Sequence, residues 1–197
     1  MKAKRPRGRP RSTAVHRGIL KAALTGLAKS GFRALTVETI AADAGVGKMA
    51  IYRRWPNKAA VVMDAFLTLV GPHTLFPPAL RATERIRLQM HLQVKFFRGN
   101  FGKMIKALLG EAQFDPELAI AFRERWIQPR RQMTREVLEQ AIHQDDLRPD
   151  LDPEAVIDLL YGPLYYRLQI ETGPIDEAYA DTIFNSVMER ARKRTAP

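Results

Sequence analysis

The residues best suited to a chemical task lie in a short basic segment that begins at Lys48. If this segment is a helix, Ala50, Ile51 and Trp55 share its inner side, and the side chains facing outward are Lys48, Met49, Tyr52 and Arg53. Lys48 and Arg53 can donate hydrogen bonds to purine acceptors in the major groove of DNA, and Met49 or Ala50 can contact a thymine methyl group. The pattern predicts a DNA-reading helix, and the alternative is a short surface helix with Tyr52 partly packed.

A helix-turn-helix motif would position this outer face. Two short helices joined by Gly45-Val46-Gly47 are the sequence form of that motif, whose second helix enters the major groove. The groups expected to bind phosphate are the backbone N–H groups of Thr36, Val37 and Gly47 and the side chains of Tyr52 and Lys58. The expected partner is therefore a double-stranded DNA operator.

The excess positive charge lies entirely in the first third of the chain. Residues 1–60 hold 14 Lys and Arg against two acids, a net charge of +12, whereas the whole 197-residue chain has +11. This division favours a polyanion-binding module attached to a neutral body. A basic region alone is also compatible with a solvated surface or a membrane-binding face.

Residues 1–12 show no apolar periodicity and predict a flexible basic arm. Within the arm, Pro6-Arg7-Gly8-Arg9-Pro10 is similar to the core of an AT-hook. Glycine lets the backbone lie on the floor of the groove, so that Arg7 and Arg9 can enter a narrow A·T minor groove. The alternative is a tail that adds only non-specific attraction.

The hydrophobic pattern of the chain after the arm predicts helices and no strands. The first helix starts at Ser12 or Thr13 and ends at Gly31, the second starts after Thr36, the third stops before Pro56, and the fourth follows Asn57. Longer helices are expected near 81–98, 100–112, 116–143, 153–171 and 175–193. Pro129 must kink or split the third of these, and Asp115-Pro116 and Asp152-Pro153 are typical helix starts.

The sequence thus predicts an all-α protein in three parts. We expect a flexible arm over 1–12, a three-helix helix-turn-helix DNA-binding domain over 13–70, and a larger helical ligand-binding and dimerisation domain over 79–197.

The second domain is rich in apolar and aromatic side chains, most of which are expected to form its core. Helical bundles also hold ligands between helices, with a few polar groups that fix orientation. The candidate ligand-binding residues are Phe97, Phe101, Met104, Leu108, Gln113, Phe122, Trp126, Tyr161 and Tyr165. His91 and Arg167 are further polar candidates.

The last two helices carry more apolar side chains than one helix pair needs, which predicts a homodimer with a four-helix interface. The interface residues expected from this pattern are Val156, Leu160, Leu164, Leu168, Ile183, Phe184 and Val187.

Several other classes of protein are disfavoured. The chain has no cysteine and its four histidines are dispersed, so we expect no disulfide, no metal site and no cofactor. The sequence contains no recognisable combination of acid, base and nucleophile that would indicate an enzyme. No apolar stretch resembles a signal peptide or reaches the roughly 20 residues of a membrane span, so we expect a cytoplasmic protein.

The run LTVETIAADAGVGKMAIYRRWPNK, residues 35–58, resembles the signature of the tetracycline-repressor (TetR) family. Trp55 stands where the family usually has Phe, and Gly47 where it has Ser, which can remove one phosphate contact. The resemblance extends into the second domain through segments 111–118, 147–153 and 162–168.

The resemblance implies about nine helices, a dimer formed by the last two long helices, and an effector cavity in each second domain. It also implies a repressor that leaves a palindromic operator when a small apolar or aromatic molecule binds. The alternative function is an architectural protein that binds A·T-rich DNA and has no effector.

Overall fold

The computed structural model describes residues 9–70, 79–144 and 146–192. Apart from one β-bridge between Leu147 and Arg192, the regular elements in these ranges are helices. They are α1 (Arg9–Ala34), α2 (Val37–Asp43), α3 (Lys48–Tyr52), α4 (Lys58–Val70), α5 (Ala82–Arg98), α6 (Asn100–Ala112), α7 (Pro116–Phe122), a π-helical segment (Arg123–Ile127), α8 (Gln128–His143), α9 (Pro153–Ile170) and α10 (Glu177–Ala191). When α7, the π-helical segment and α8 are counted as one continuous helix, the described residues form nine helices. The all-α prediction is confirmed.

The chain divides into two compact units. The first comprises the described residues up to Leu69 together with Glu111–Phe122, and the second comprises those of Val70–Gly110 and those from Arg123 onward. The domain limits expected from the sequence stay predictions.

In the first unit, α1 packs on α2 and α2 on α3. The largest side chains buried in this unit are Trp55, Phe66, Ile19, Ile40, Ile51 and Met63. Gly31 has φ 74°, a conformation that glycine tolerates best, and the helical path bends there before it ends at Ala34. The start expected at Ser12 or Thr13 is wrong, because α1 already begins at Arg9. Part of the presumed arm is therefore helical.

Hydroxyl and glycine residues define the helix-turn-helix as expected. Thr36 caps α2: its Oγ1 accepts a hydrogen bond from the Thr39 backbone N–H at 3.1 Å, and Thr39 Oγ1 accepts one from the Thr36 N–H at 3.2 Å. Gly45 turns the chain with φ 64°, and Gly47 is the N-cap of α3. The third helix ends at Tyr52, whereas the sequence places its end near Arg54, ahead of Pro56.

The second unit is a bundle in which α5 packs on α8, α9 and α10, while α8 and α10 pack on α9. Asp152 caps α9 by accepting a hydrogen bond from the Glu154 N–H at 2.9 Å, so the start at Pro153 is confirmed. At Pro129, where the sequence predicts a kink or a split, the long helix is not split, but it contains the π-helical segment Arg123–Ile127 just before the proline. Proline has no N–H and its ring crowds the preceding turn, and the π-helical segment lies immediately before α8.

Candidate DNA-binding face and ligand cavity

The outer side of α3 carries the four side chains predicted to face outward. Met49 is 68% exposed and Tyr52 45%, and Lys48 and Arg53 are also exposed. On the inner side Ile51 is fully buried, with Ala50 half-buried. We call the set Lys48, Met49, Tyr52 and Arg53 the α3 face. The predicted orientation of α3 is confirmed, and the contacts of this face with DNA stay predictions.

Trp55 anchors α3 to the rest of the first unit. It is 2% exposed, its Nε1 donates to Asp64 Oδ2 at 2.6 Å, and its ring stacks on His16 with centroids 5.0 Å apart. The indole therefore fills the core where the resembling family usually has Phe.

An ion pair links α2 to the α3 face. Lys48 Nζ donates to Glu38 Oε1 at 2.8 Å, and both side chains are exposed. The hydrogen bond from Lys48 lowers the pKa of Glu38, and the same bond raises the pKa of Lys48. Because exposed ion pairs contribute little free energy, a DNA phosphate or base can replace Glu38 as the partner of Lys48 at small cost.

Two of the residues predicted to bind phosphate also have structural roles. The side chain of Val37 belongs to the core of the first unit, and the phosphate contact expected from its backbone N–H stays a prediction. Lys58 Nζ donates to the Phe32 carbonyl at 2.8 Å and lies 4.1 Å from the centre of its ring. Lys58 thereby joins the start of α4 to the end of α1, and its phosphate contact stays a prediction.

The minor-groove prediction concerns a segment of which the structure describes only the backbone of Arg9 and Pro10, at the start of α1. Arg7 lies outside the described residues, as does the side chain of Arg9. The role of Pro6-Arg7-Gly8-Arg9-Pro10 thus stays a prediction.

The second unit contains a cavity of about 140 Å³ between α5, the end of the π-helical segment, α8 and α9. Its polar lining includes Gln89, Gln93, Arg130, Thr134, Tyr161 and Tyr165. Of the nine predicted ligand-binding residues, Tyr161 and Tyr165 line this cavity.

The other predicted ligand-binding residues do not line it. Four are buried in the cores, namely Phe97, Leu108, Phe122 and Trp126, while Phe101 and Met104 are half-buried and Gln113 is exposed. Apolar periodicity finds the side chains that fill a core, whereas the wall of this cavity is marked by polar residues at buried positions. Gln89 and Gln93, four residues apart on the apolar side of α5, were the signal that sequence reasoning missed.

Two phenols in the cavity wall are held by hydrogen bonds. Tyr161 Oη donates to Gln89 Oε1 at 2.5 Å, and Trp126 Nε1 donates to Tyr165 Oη at 2.8 Å. Burial raises the pKa of Tyr161 above its usual value and raises the pKa of Tyr165 to about 12. Both phenols are therefore neutral near pH 7 and act as hydrogen-bonding groups.

Arg130 brings a positive charge to the same wall. Its guanidinium carbon lies 3.3 Å from the centre of the Trp126 ring, and its Nη1 donates to the Trp126 carbonyl at 3.0 Å. Burial lowers the pKa of Arg130 to about 10, so the group remains charged near pH 7. Its neighbour Arg131 is paired with Glu154 and Asp158.

The two further polar candidates have structural partners instead. His91 Nε2 lies 2.7 Å from Asp181 Oδ1, and Arg87 donates two hydrogen bonds to the same carboxylate at 2.7 and 2.9 Å. Arg167 stacks on Tyr179, with its guanidinium carbon 3.3 Å from the ring centre. Neither His91 nor Arg167 lines the cavity.

Most of the residues predicted for the dimer interface have a place in the core of the single chain. Six of them are buried there, namely Val156, Leu160, Leu164, Leu168, Ile183 and Phe184, while Val187 is half-buried and its place in an interface stays a prediction. They pack the bundle, because the apolar side of an amphipathic helix is used first by its own subunit. The apolar side chains that α9 exposes are Leu159, Tyr166 and Ile170, each 58–59% exposed. We call these three residues the outer α9 face.

Within residues 9–70, 79–144 and 146–192, no group of three or more His, Cys, Asp or Glu could hold a metal ion. No described helix is long and apolar enough to cross a membrane.

Two family models match the chain. Residues 19–65 match "Bacterial regulatory proteins, tetR family", and residues 81–187 match "Tetracyclin repressor-like, C-terminal domain".

Relatives and solved structures agree with these matches. The uncharacterized HTH-type transcriptional regulator YdeS of Bacillus subtilis is 40% identical over 181 residues, which cover 91% of each chain. The crystal structure of the TetR family transcription regulator SCO0332 has a TM-score of 0.75 and 29% identity, and covers 93% of this chain and 99% of its own. Thermus thermophilus FadR, a repressor solved with lauroyl-CoA, shares the fold at 20% identity with a TM-score of 0.71, covering 92% of this chain and 97% of its own.

Proposed function

Because the chain belongs to the TetR family of DNA-binding transcriptional regulators, we propose that it is a homodimeric repressor that leaves a palindromic operator when a small molecule binds. Members of this family regulate transcription, so the chain is a regulator and not an enzyme. A regulator acts where the chromosome lies, and we propose the cytoplasm as its compartment.

The observation that carries the proposal is the α3 face. This face combines two large exposed side chains, Met49 and Tyr52, with two basic ones in one contiguous surface, which is the combination that a contact with base edges and phosphates requires. In the major groove Lys48 and Arg53 would donate to purine acceptors, while Met49 would contact a thymine methyl group. Tyr52 and the backbone amides of Thr36, Val37 and Gly47 would bind phosphate.

The dimer is proposed to form through the outer α9 face. Leu159, Tyr166 and Ile170 lie seven and four residues apart, so they share one side of the helix. Two-fold symmetry would set two α3 helices one DNA turn apart, roughly 34–36 Å, which matches a palindrome.

The effector is proposed to bind in the cavity of the second unit. FadR of Thermus thermophilus was solved with lauroyl-CoA, which supports a ligand in this fold without identifying one for this chain. The cavity here is about 140 Å³, less than the roughly 300 Å³ at which drug-sized sites begin, and so fits a small molecule.

Selection of binding sites from random DNA, followed by footprinting with the full chain, tests the function. We expect the selected sites to be two-fold symmetric and protected on both half-sites. Protection of A·T-rich DNA without two-fold symmetry would instead indicate the architectural alternative, which no specific observation on the described residues supports. Reporter expression with and without the protein then distinguishes repression from activation.

A further inference from the structure

The cavity of the second unit contains a positive charge that the described protein does not neutralise. Asp158, the acidic residue among the described lining residues, is bound to Arg131. Glu154 is bound to both Arg131 and Arg135. For Arg130 the described residues provide a carbonyl and an aromatic ring, but no carboxylate.

Two hydrogen-bond donors in the same wall lack an acceptor. Nε of Arg130 and Nε2 of Gln93 are both buried and make no hydrogen bond among the described residues. Gln93 is only 3% exposed, and both residues line the cavity. Because buried polar groups in folded proteins are nearly always paired, an acceptor supplied by a ligand would complete the hydrogen bonding of this wall.

The size of the cavity limits the ligand that supplies this acceptor. Its volume of about 140 Å³ is close to the roughly 150 Å³ of a cavity that holds one benzene ring. The remaining wall includes Ile127, Ile157 and the neutral phenols of Tyr161 and Tyr165, which suit an apolar body with few polar atoms.

We infer that this cavity binds a small organic carboxylate, about as large as one aromatic ring, whose anionic group accepts hydrogen bonds from Arg130 and Gln93. A neutral ligand would leave the guanidinium charge uncompensated, and an amine would be repelled by it. A planar carboxylate also matches the donor geometry of a guanidinium group. The inference rests on the proposed function only in regarding this carboxylate as the effector.

Calorimetric titration of the full-length protein without DNA, at about pH 7, tests the charge preference. The probes are acetate, hexanoate and benzoate, each compared with its neutral amide. We expect benzoate to bind at least about tenfold more tightly than benzamide, because a hydrogen bond to a charged group is stronger than one to a neutral group. Equal or tighter binding of the amides, or binding of none of the three carboxylates, would overturn the inference.

Two variants locate the site. Arg130→Gln should bring the ratio of benzoate to benzamide affinity close to one, and Gln93→Leu, which removes a donor without removing a charge, should weaken benzoate binding several-fold. The control is Arg123→Gln, which removes an exposed charge from the π-helical segment and should leave the ratio unchanged. If Arg130→Gln does not fold, Gln93→Leu decides the question, and unchanged benzoate binding by a folded Gln93→Leu would contradict the assigned site.

The carboxylate preference of the cavity and its role in releasing DNA are tested by different outcomes. If benzoate binds with the expected preference but does not release operator DNA, the carboxylate site stands and its role as effector site is wrong. If only neutral molecules bind and release the DNA, the proposed regulator stands and the carboxylate inference is wrong.

Discussion

Tyr52 and Arg53 are the single residues on which the proposed DNA contact depends most. Both are exposed on α3, and no hydrogen bond that the structure defines ties either side chain to the rest of the first unit. Replacing either with Ala should therefore weaken operator binding by about 1–3 kcal/mol while the melting temperature stays nearly constant. Titration of labelled operator DNA, followed by anisotropy, measures the change.

The control for this pair is Lys103→Ala, which removes an exposed positive charge from α6 in the second unit. It should leave operator affinity within the error of the titration. Unaltered operator binding by the double variant of Tyr52 and Arg53 would show that α3 does not read the groove.

Asp181 should make the second unit sensitive to acid. Its hydrogen bonds with Arg87, and then those with His91, hold the pKa of this carboxyl well below its ordinary 3.8. A group with a lowered pKa stabilises the fold above its ordinary value, and this stabilisation is lost as the pH falls below about 3.8. Asp181→Asn should lower the free energy of unfolding by about 1 kcal/mol near pH 7, since Arg87 is half exposed, and by less near pH 3.

Urea denaturation at the two pH values measures this difference, with Glu189→Gln as an exposed control on the same helix. If Asp181→Asn lowers the free energy of unfolding by as much near pH 3 as near pH 7, the loss is caused by packing and not by charge.

The sequence predicted the exposed residues of α3 better than the residues of the cavity wall. The outward set on α3 was predictable, because a short helix with one fully buried side, centred on Ile51, leaves its other side chains exposed. The cavity wall was only partly predictable. Gln89 and Gln93 interrupt the apolar side of α5, which is a local signal, whereas nothing in the local pattern distinguishes Arg130 from the polar residues of a solvated face. The burial of Arg130 depends on which helices meet, which is a property of the tertiary fold.

At the scale of elements, α9 has two apolar sides. The side containing Leu160 and Leu164 is fully buried within the bundle, whereas the outer α9 face is exposed. The sequence indicated an excess of apolar surface on this helix, but the residues that it selected for a partner subunit are the ones that the chain's own bundle buries. Spacing alone does not reveal which of two apolar sides the chain's own core takes.

The outer α9 face provides a direct test of the dimer. Leu159→Glu or Tyr166→Glu should convert the dimer into a folded monomer, since a charge at the centre of an apolar interface lacks a partner. Light scattering at micromolar concentration should then give about half the wild-type mass. Leu164→Glu, by contrast, should prevent folding, because Leu164 is fully buried in the single chain.

Phe114→Glu is the matched control, because Phe114 is 79% exposed and lies outside α9. It should leave the mass unchanged. A wild-type protein that is monomeric and still protects a full palindrome would contradict the dimer.

Helix ends were the most predictable part of the elements. Thr36, Gly45, Gly47 and Asp152 all act at the helix ends where their side chains or backbone freedom favour them. The start of α1 was misplaced, because the basic residues before Ser12 show no apolar periodicity although they extend the helix to Arg9. A helix of charged residues leaves no hydrophobic pattern to detect.

At the scale of the whole molecule, the basic residues before α1 should control how strongly binding depends on salt. Deleting residues 1–8 removes Lys2, Lys4, Arg5 and Arg7 and leaves α1 intact. Because each phosphate neutralised adds about 0.9 to the slope of log affinity against log salt, the slope should fall by up to about four. Operator titrations at several salt concentrations measure it.

The flanking sequence separates the two roles of the arm. A larger loss on A·T-rich flanks than on G·C-rich flanks would support entry into the minor groove. An equal loss would leave only non-specific attraction, and an unchanged slope would mean that the arm does not touch DNA.

The protein contains two tryptophans, and one lies in each compact unit. Trp55 is enclosed in the first unit beside His16, and Trp126 lies in the second unit against Arg130, which lines the cavity. Fluorescence emission from each indole therefore originates in a different half of the regulator. In a Trp55→Phe background the remaining emission comes from the second unit and reports changes around Arg130, whereas Trp126→Phe leaves an optical signal from the DNA-binding half, without any attached dye.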